Sequence, residues 1–310
     1  MNTIISDNKR QGTAELRQIK RCVPLYLMIA PAMIITLIFS YFPLPGLLIS
    51  FMDYDIFKGM LGSKWVGMEN IRALFEMPNM LKSVSNTLFI SVLSIAIVFP
   101  ITILLAVLLN EIRCSWFKRT IQTISYLPHF LSWISVIGIA STFYAVNGPL
   151  NDILSNAFGM ERQMFLADRA FFIPNVLILT IWKETGWSSI IFLAAITGID
   201  MQLYEAAAID GAGRFRQFLS VTVPGMLPTI IVMLVLKIGA VFTSNFDLIY
   251  GLQNVYIEFD VISTIVYKYG IQQGNFGIST ALNFCQGIIA LILTLGADRL
   301  SKKVNHISIW

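Results

Sequence analysis

The sequence predicts an all-α membrane protein with six transmembrane helices, and three observations carry that prediction. Only 13% of residues are charged, about half the share found in soluble domains. Hydrophobic residues make up 56% of the chain, and its mean hydropathy is +0.71. Apolar runs fall at 24–51, 85–109, 120–146, 173–197, 223–247 and 278–297. Each is long enough to cross a ~30 Å hydrocarbon layer, which takes about 20 helical residues. Lysine and arginine are also unevenly shared between the two sides of these runs, and that asymmetry sets the orientation.

The chain opens on a basic segment, 1–22, whose "KRQGTAELRQIKRC" resembles the charged start of a signal peptide. The apolar run that follows begins at Val23 and continues to Phe51. That is far beyond the ~7–15 apolar residues of a signal peptide, and no small-residue cleavage pattern interrupts it. The reading is an uncleaved first span with a basic cytoplasmic anchor. Six spans put both termini on one side. The N-terminal tail, the loop after span two, the loop after span four and the C-terminal tail 301–310 with its approach hold 13 Lys and Arg, and the opposite segments hold 7. Both termini are therefore expected in the cytoplasm of a bacterial plasma membrane, with a membrane domain over 23–300.

The opposite-side segments, 52–84, 147–172 and 248–277, are long and keep aromatic and apolar residues. In the last of them Val261, Ile265 and Tyr269 recur at helical spacing. Two readings stay open: a surface helix offering a docking face, or an ordered loop packed on the spans. Neither an internal repeat nor a separate soluble domain is visible. Cys22, Cys114 and Cys285 are scattered, so no disulfide framework or metal spacing follows. No dense basic stripe with interleaved aromatics points to nucleic acid.

Between spans four and five lies "EAAAIDGAGRFRQF", a polar insert in a greasy chain. Asp200 can cap a helix from Met201. Ala206, Ala207 and Ala208 are strong helix formers, and Asp210-Gly211 stops the helix because glycine accepts the left-handed conformation. A second helix is expected over Arg214–Leu219, with Phe215, Phe218 and Leu219 on one face, before Pro224 opens span five. The insert spans 198–222, whereas helix–helix connections usually run about 2–8 residues. A built cytoplasmic element of that size is read as an interface.

These residues resemble the EAA loop of permease subunits in binding-protein-dependent ABC importers of type I. The pattern is Glu-Ala-Ala, three residues, Gly, nine residues, then Ile-x-Leu-Pro. Glu205, Ala206, Ala207, Gly211 and Pro224 match it outright, and Val221 and Val223 replace the Ile and Leu. "WVGMENIRALF" and "NTLFISVLSI" are similar to the sugar-importer branch, and "ISYLPHFLSWISVIGI" with "NGPLNDIL" resembles the subgroup for polysaccharide fragments and aldouronates. The resemblance implies a coupling helix, with Glu205, Ala206, Ala207, Asp210, Gly211, Arg214, Phe218 and Pro224 seated against a separate ATPase. It further implies a second homologous permease, two ATPase subunits that bind ATP and Mg, an extracellular solute-binding protein and an oligosaccharide cargo. No cofactor and no metal are assigned to this chain itself. It lacks GxxxxGK[ST], HExxH and GxSxG, so no P-loop, zincin or hydrolase motif supports an enzyme reading. A gradient-driven secondary transporter or channel is the rival class. It would need an intramembrane ion relay or matched broken helices.

Polar residues inside the spans are the remaining signal. Lys183 lies about ten residues into span four, near ~15 Å depth at 1.5 Å per residue, and Lys237 lies within span five. Trp187 is one turn from Lys183, on a face suited to sugar stacking. Glu184 points about 100° away around the helix and is expected to pair poorly with Lys183. Asn245, Asn283 and Gln286 are weaker pathway candidates, and His129 is expected to pack. Either Lys183 and Lys237 pair structurally with Glu184 and Asp247, or the two lysines line a pathway for acidic, uronate-containing fragments. A permease of the same class for neutral oligosaccharides is the alternative to the acidic cargo.

Overall fold

The computed structural model describes residues 23–243 and 245–305. The basic anchor 1–22 with Cys22, and the chain end from 306 with His306, lie outside the described residues. Apolar segments that enter lipid must satisfy every backbone N–H and C=O internally, which makes helices the default. In chain order, α1 (Val23–Phe51) leads to a two-residue ribbon of β1 (Met52–Asp53) and β2 (Lys64–Trp65), with α2 (Gly59–Gly62) between the strands. Next come α3 (Glu69–Glu76), α4 (Met80–Glu111), α5 (Ser115–Phe130) and α6 (Trp133–Phe143). They are followed by α7 (Pro149–Phe158), α8 (Arg169–Thr197), α9 (Met201–Ile209) and α10 (Arg214–Gly239). Short α11 (Phe246–Leu252) and α12 (Ile262–Tyr267) precede α13 (Phe276–Asn305). The last helix runs on without a break to Asn305.

Five of these helices are long and apolar enough to span, and the expected third span is different. Instead of one run over 120–146, α5 and α6 meet at a bend of 106°. Pro128 sits in a tight 3₁₀ turn, Leu127–Phe130, and Leu131 is extended. Ser132 then caps α6 by accepting from the Ser135 amide at 3.1 Å. The apolar run is continuous in composition, but a proline followed by a capping serine divides it.

Prolines also shape three unbroken spans. The wide π-turns Leu37–Tyr41, Ser94–Val98 and Phe218–Thr222 are each followed two residues later by Pro43, Pro100 or Pro224. A helical proline lacks an amide and its ring crowds the carbonyl four residues back. In all three cases that carbonyl lies inside the widened turn, which makes room for the ring. One consequence corrects the expected Arg214–Leu219 helix: it is not separate but continues through the π-turn and Pro224 into span five.

One of the buried clusters lies between α4, α8 and α10, where Phe99, Ala106, Phe192, Ile196 and Met226 are buried together. Phe99 and Phe192 meet edge to face at 5.5 Å. At the end opposite the α9 hairpin, α4 holds the 254–262 segment. Asn86 donates to the Asp260 carbonyl at 2.8 Å, and the Ile262 amide donates to Thr87 at 3.0 Å. Val261, Ile262 and Ile265 are buried, with Tyr269 packed beside them. The segment combines parts of both readings: it is helical, as the spacing predicts, but it packs on the spans instead of lying on the surface. Its apolar spacing faces the core.

Candidate functional site

Two regions hold the residues singled out in the sequence. The first is the hairpin of α9 and the start of α10. The Asp200 carboxylate accepts from the Gln202 amide at 2.9 Å and caps α9. At the other end the Ala212 amide reaches the Ala207 carbonyl at 2.9 Å, and the Gly211 amide reaches that of Ala208 at 3.0 Å. That pair of bonds is the Schellman closure, which needs a left-handed residue after the cap. Gly211 supplies it with φ +76°.

The hairpin is braced from three sides. Tyr204 and Thr222 hydroxyls bond at 2.9 Å, Gln217 donates to the Ala212 carbonyl at 3.0 Å, and Arg214 lies 3.6 Å from Glu111 at the end of α4. Phe218 is half-buried and its ring meets Phe215 at 6.4 Å. Ala206, Asp210 and Arg214 are exposed, and Ile209 and Phe215 are 87% and 75% exposed. Glu205 is exposed too, with no hydrogen bond or ion pair among the described residues. A rigid base thus presents two large apolar side chains and an uncommitted carboxylate. The arrangement suits a protein cleft carrying a basic group.

The second region is a cavity of about 210 Å³ between α4, α6, α8, α10 and α11. Its polar lining is Ser91 and Ser94 from α4, Thr180 and Glu184 from α8, Lys237 from α10, and Thr243 and Asn245 before α11. Lys237 has no ion-pair partner among the described residues. Asn245 also caps α11, accepting from the Leu248 amide at 3.2 Å. Glu184, Lys237 and Asn245 were among the sequence candidates, whereas the two serines, one turn apart, and Thr180, one turn from Glu184, were not. Polar residues recurring at helical spacing inside an apolar span are the signal that would have found them.

Of the two readings for Lys183, the structure has the pairing one. The residue is buried, at 5% exposure, and does not line the cavity. Its ammonium donates to the His129 carbonyl at 2.8 Å and lies 3.3 Å from Glu184 Oε1, which overturns the expectation that these neighbours pair poorly. The 100° offset holds for the Cα–Cβ directions, but both side chains are long enough to converge on the break between α5 and α6. Glu184 Oε2 lies 3.0 Å from His129 Nδ1. Trp187 stacks on the His129 ring at 4.7 Å, so that face of the indole is occupied by protein.

The other candidates are scattered. Asp247 and Asn283 are exposed and lie outside the cavity, and Asp247 pairs with neither lysine. Gln286 donates to the Phe242 carbonyl at 2.8 Å and braces α13 against the α10–α11 turn.

Comparison with known proteins bears on the chain as a whole. Residues 98–305 match the family described as "Binding-protein-dependent transport system inner membrane component". The polygalacturonan/rhamnogalacturonan transport system permease protein YteP of Bacillus subtilis (strain 168) is 43% identical over 288 residues, covering 92% of this chain and 90% of that protein. Protein LplB of the same strain is 39% identical over 299 residues, covering 96% and 94%. Among solved structures, a bacterial ABC transporter involved in the import of the acidic polysaccharide alginate superposes with a TM-score of 0.85 at 36% identity. That match covers 94% of this chain and 99% of the other. The spans, the hairpin and these matches agree: the chain is a multi-pass, non-catalytic membrane subunit, and it belongs to the inner-membrane permease family of binding-protein-dependent ABC sugar importers.

Proposed function

We propose that this permease forms half of a pore for acidic oligosaccharides and that Lys237 is the cation its cargo meets. The observation that carries the reading is the cavity, where an ammonium with no ion-pair partner among the described residues stands among hydroxyl and amide groups, while the one carboxylate in the lining, Glu184, is engaged by Lys183 and His129. Lys237 sits where hydrocarbon would otherwise surround it, and a lone cation there costs at least ~2.5–3.5 kcal/mol on insertion scales. A carboxylate-bearing sugar would offset that cost, whereas a neutral sugar would not. The relatives that transport polygalacturonan/rhamnogalacturonan and alginate support the same cargo class. The cavity, about 210 Å³, is smaller than the ~300–1,000 Å³ of sites that enclose a ligand. One half of a pore has that size when a second homologous permease supplies the facing wall.

In this reading both termini and the α9 hairpin face the cytoplasm. Glu205 and the exposed Ile209 and Phe215 seat in one of two ATPase subunits, where ATP and Mg are bound. An extracellular binding protein delivers the oligosaccharide to the opposite end. The related alginate importer was solved with an alginate pentasaccharide-bound periplasmic protein, which supports that last partner.

Orientation is tested by single cysteines in a cysteine-free background, at two exposed positions. A cysteine replacing Lys64 should react with an impermeant thiol reagent in intact cells, and one replacing Arg216 should react only after lysis. Reversed labelling removes the reading. The cargo assignment is tested in proteoliposomes holding the whole importer and its binding protein. Lys237→Met should raise the half-saturating concentration of an acidic oligosaccharide about tenfold, since a charge-assisted hydrogen bond is worth roughly 1.5–3 kcal/mol. Uptake of a neutral oligosaccharide of equal length, where it occurs, should not change. Unaltered acidic uptake would refute the assignment.

A further inference from the structure

Lys183 is the one buried lysine among the described residues, and every partner it has belongs to the broken third span or to Glu184. The break leaves backbone groups that no helix satisfies, and an unpaired carbonyl inside a membrane domain is costly. The His129 carbonyl is one such group, and the Lys183 ammonium donates to it at 2.8 Å. The same ammonium lies 5.0 Å from the centre of the Trp133 ring, the first residue of α6. One charge therefore touches both sides of the 106° bend.

Glu184 completes the arrangement by dividing its two oxygens. One takes Lys183 at 3.3 Å, and the other takes the His129 ring at 3.0 Å. Trp187 lies flat on that ring, at 4.7 Å and 1° between planes, and the edge of Phe130 closes on Trp187 at 5.5 Å. Three residues of α8, spaced over little more than one turn, thus hold His129, Phe130 and Trp133. The same helix runs from Glu184, which lines the cavity, to Thr197 beside the coupling hairpin. Together with the close approach of Gly186 to Ser125, this attachment ties the break to any rigid-body movement of α8.

We propose that Lys183 is a positioning residue: it pins the break of the third span to α8, so that the two move as one unit during transport, and it does not hold cargo. The proposal builds on the cargo reading, which gives that task to Lys237. Its own consequence concerns the rate of the transport cycle, whatever the cargo.

The test uses the complete reconstituted importer with its binding protein. In Lys183→Met the His129 carbonyl loses its donor and Glu184 loses its cation. Maximal uptake should fall roughly tenfold, within the range of ordinary coupling energies. The half-saturating concentration should stay unchanged, and acidic and neutral cargoes should be slowed alike. Amide hydrogen exchange at 129–133 should rise over the wild type. Lys183→Gln keeps a hydrogen-bond donor but no charge, so it should restore most of the rate. It also carries the test if the methionine variant fails to assemble. A raised half-saturating concentration for acidic cargo in Lys183→Gln would overturn the proposal, because it would make Lys183 a cargo ligand. An unchanged rate with unchanged exchange in Lys183→Met would overturn it equally. If instead Lys237→Met leaves acidic uptake intact while Lys183→Met slows every cargo, the cargo reading fails and the positioning role stands.

Discussion

Replacing Gly211 with valine should abolish cargo-stimulated ATP hydrolysis by the assembled importer, while the permease still inserts and folds. Gly211 has φ +76°, a region that a β-branched residue enters only with strain. A built Cβ there meets nothing within 4 Å, so the penalty is conformational and stays in the hairpin. The left-handed conformation costs ordinary residues about 1–2 kcal/mol, and a β-branched one more. Relief comes by opening the Schellman closure, which releases the Ala207 and Ala208 carbonyls and shifts Ile209 away from its present position. Ile209 is 87% exposed, so little packing holds it in place once the turn opens. Glu205→Ala should weaken the same docking without altering the turn, since its carboxylate has no hydrogen bond or ion pair among the described residues. The measurement is ATPase activity with and without loaded binding protein. Full stimulation in both variants would remove the coupling role of the hairpin.

Gly186→Ala should cause the largest loss of stability among single methyl additions to the spans. A Cβ at Gly186 would stand 1.9 Å from the Ser125 carbonyl oxygen and 2.4 Å from its carbon. The obstacle is backbone, so no side chain can rotate away, and α5 and α8 must separate. Overpacking of this kind typically costs about 1–3 kcal/mol, and a clash with backbone belongs at the upper end. Separation would also disturb the contacts around His129 one turn further on. The melting temperature of the purified permease in detergent should drop clearly, with loss of monodispersity. Gly287→Ala in α13 is the control, because nothing lies within 4 Å of its added Cβ. There the gain in helix propensity, up to about 1 kcal/mol, should leave stability equal or higher. Equal melting temperatures for the two variants would contradict the close approach of α5 and α8.

Much of this was legible in the sequence. The apolar runs located every spanning segment, because burial in lipid acts on each segment's own composition. The hairpin was equally legible, since Asp200, the alanines and Gly211 act through hydrogen bonds no more than five residues apart. Less legible was the division of the third span, where composition continues unbroken and only Pro128 and Ser132 mark the bend. The continuity of Arg214–Gly239 was missed because Pro224 reads as a helix start, whereas here a π-turn accommodates it within a helix.

What the sequence by itself determined was therefore the membrane class, the number and order of the apolar segments, and the hairpin after span four with its turn glycine. Each rests on hydropathy or on local backbone chemistry. Only the tertiary structure decided which intramembrane charges face the cavity. Lys183 and Lys237 look alike as lysines within apolar runs, and a helical wheel places Lys183 beside Trp187 and away from Glu184. In the folded chain a break 54 residues away in sequence supplies the His129 carbonyl that captures Lys183. Glu184 turns to the same point, and Lys237 is left without an ion-pair partner among the described residues. A buried ammonium takes the acceptors that packing brings within about 3 Å, and the nearest one here, the His129 carbonyl, lies on another helix, beyond the reach of any periodicity in its own.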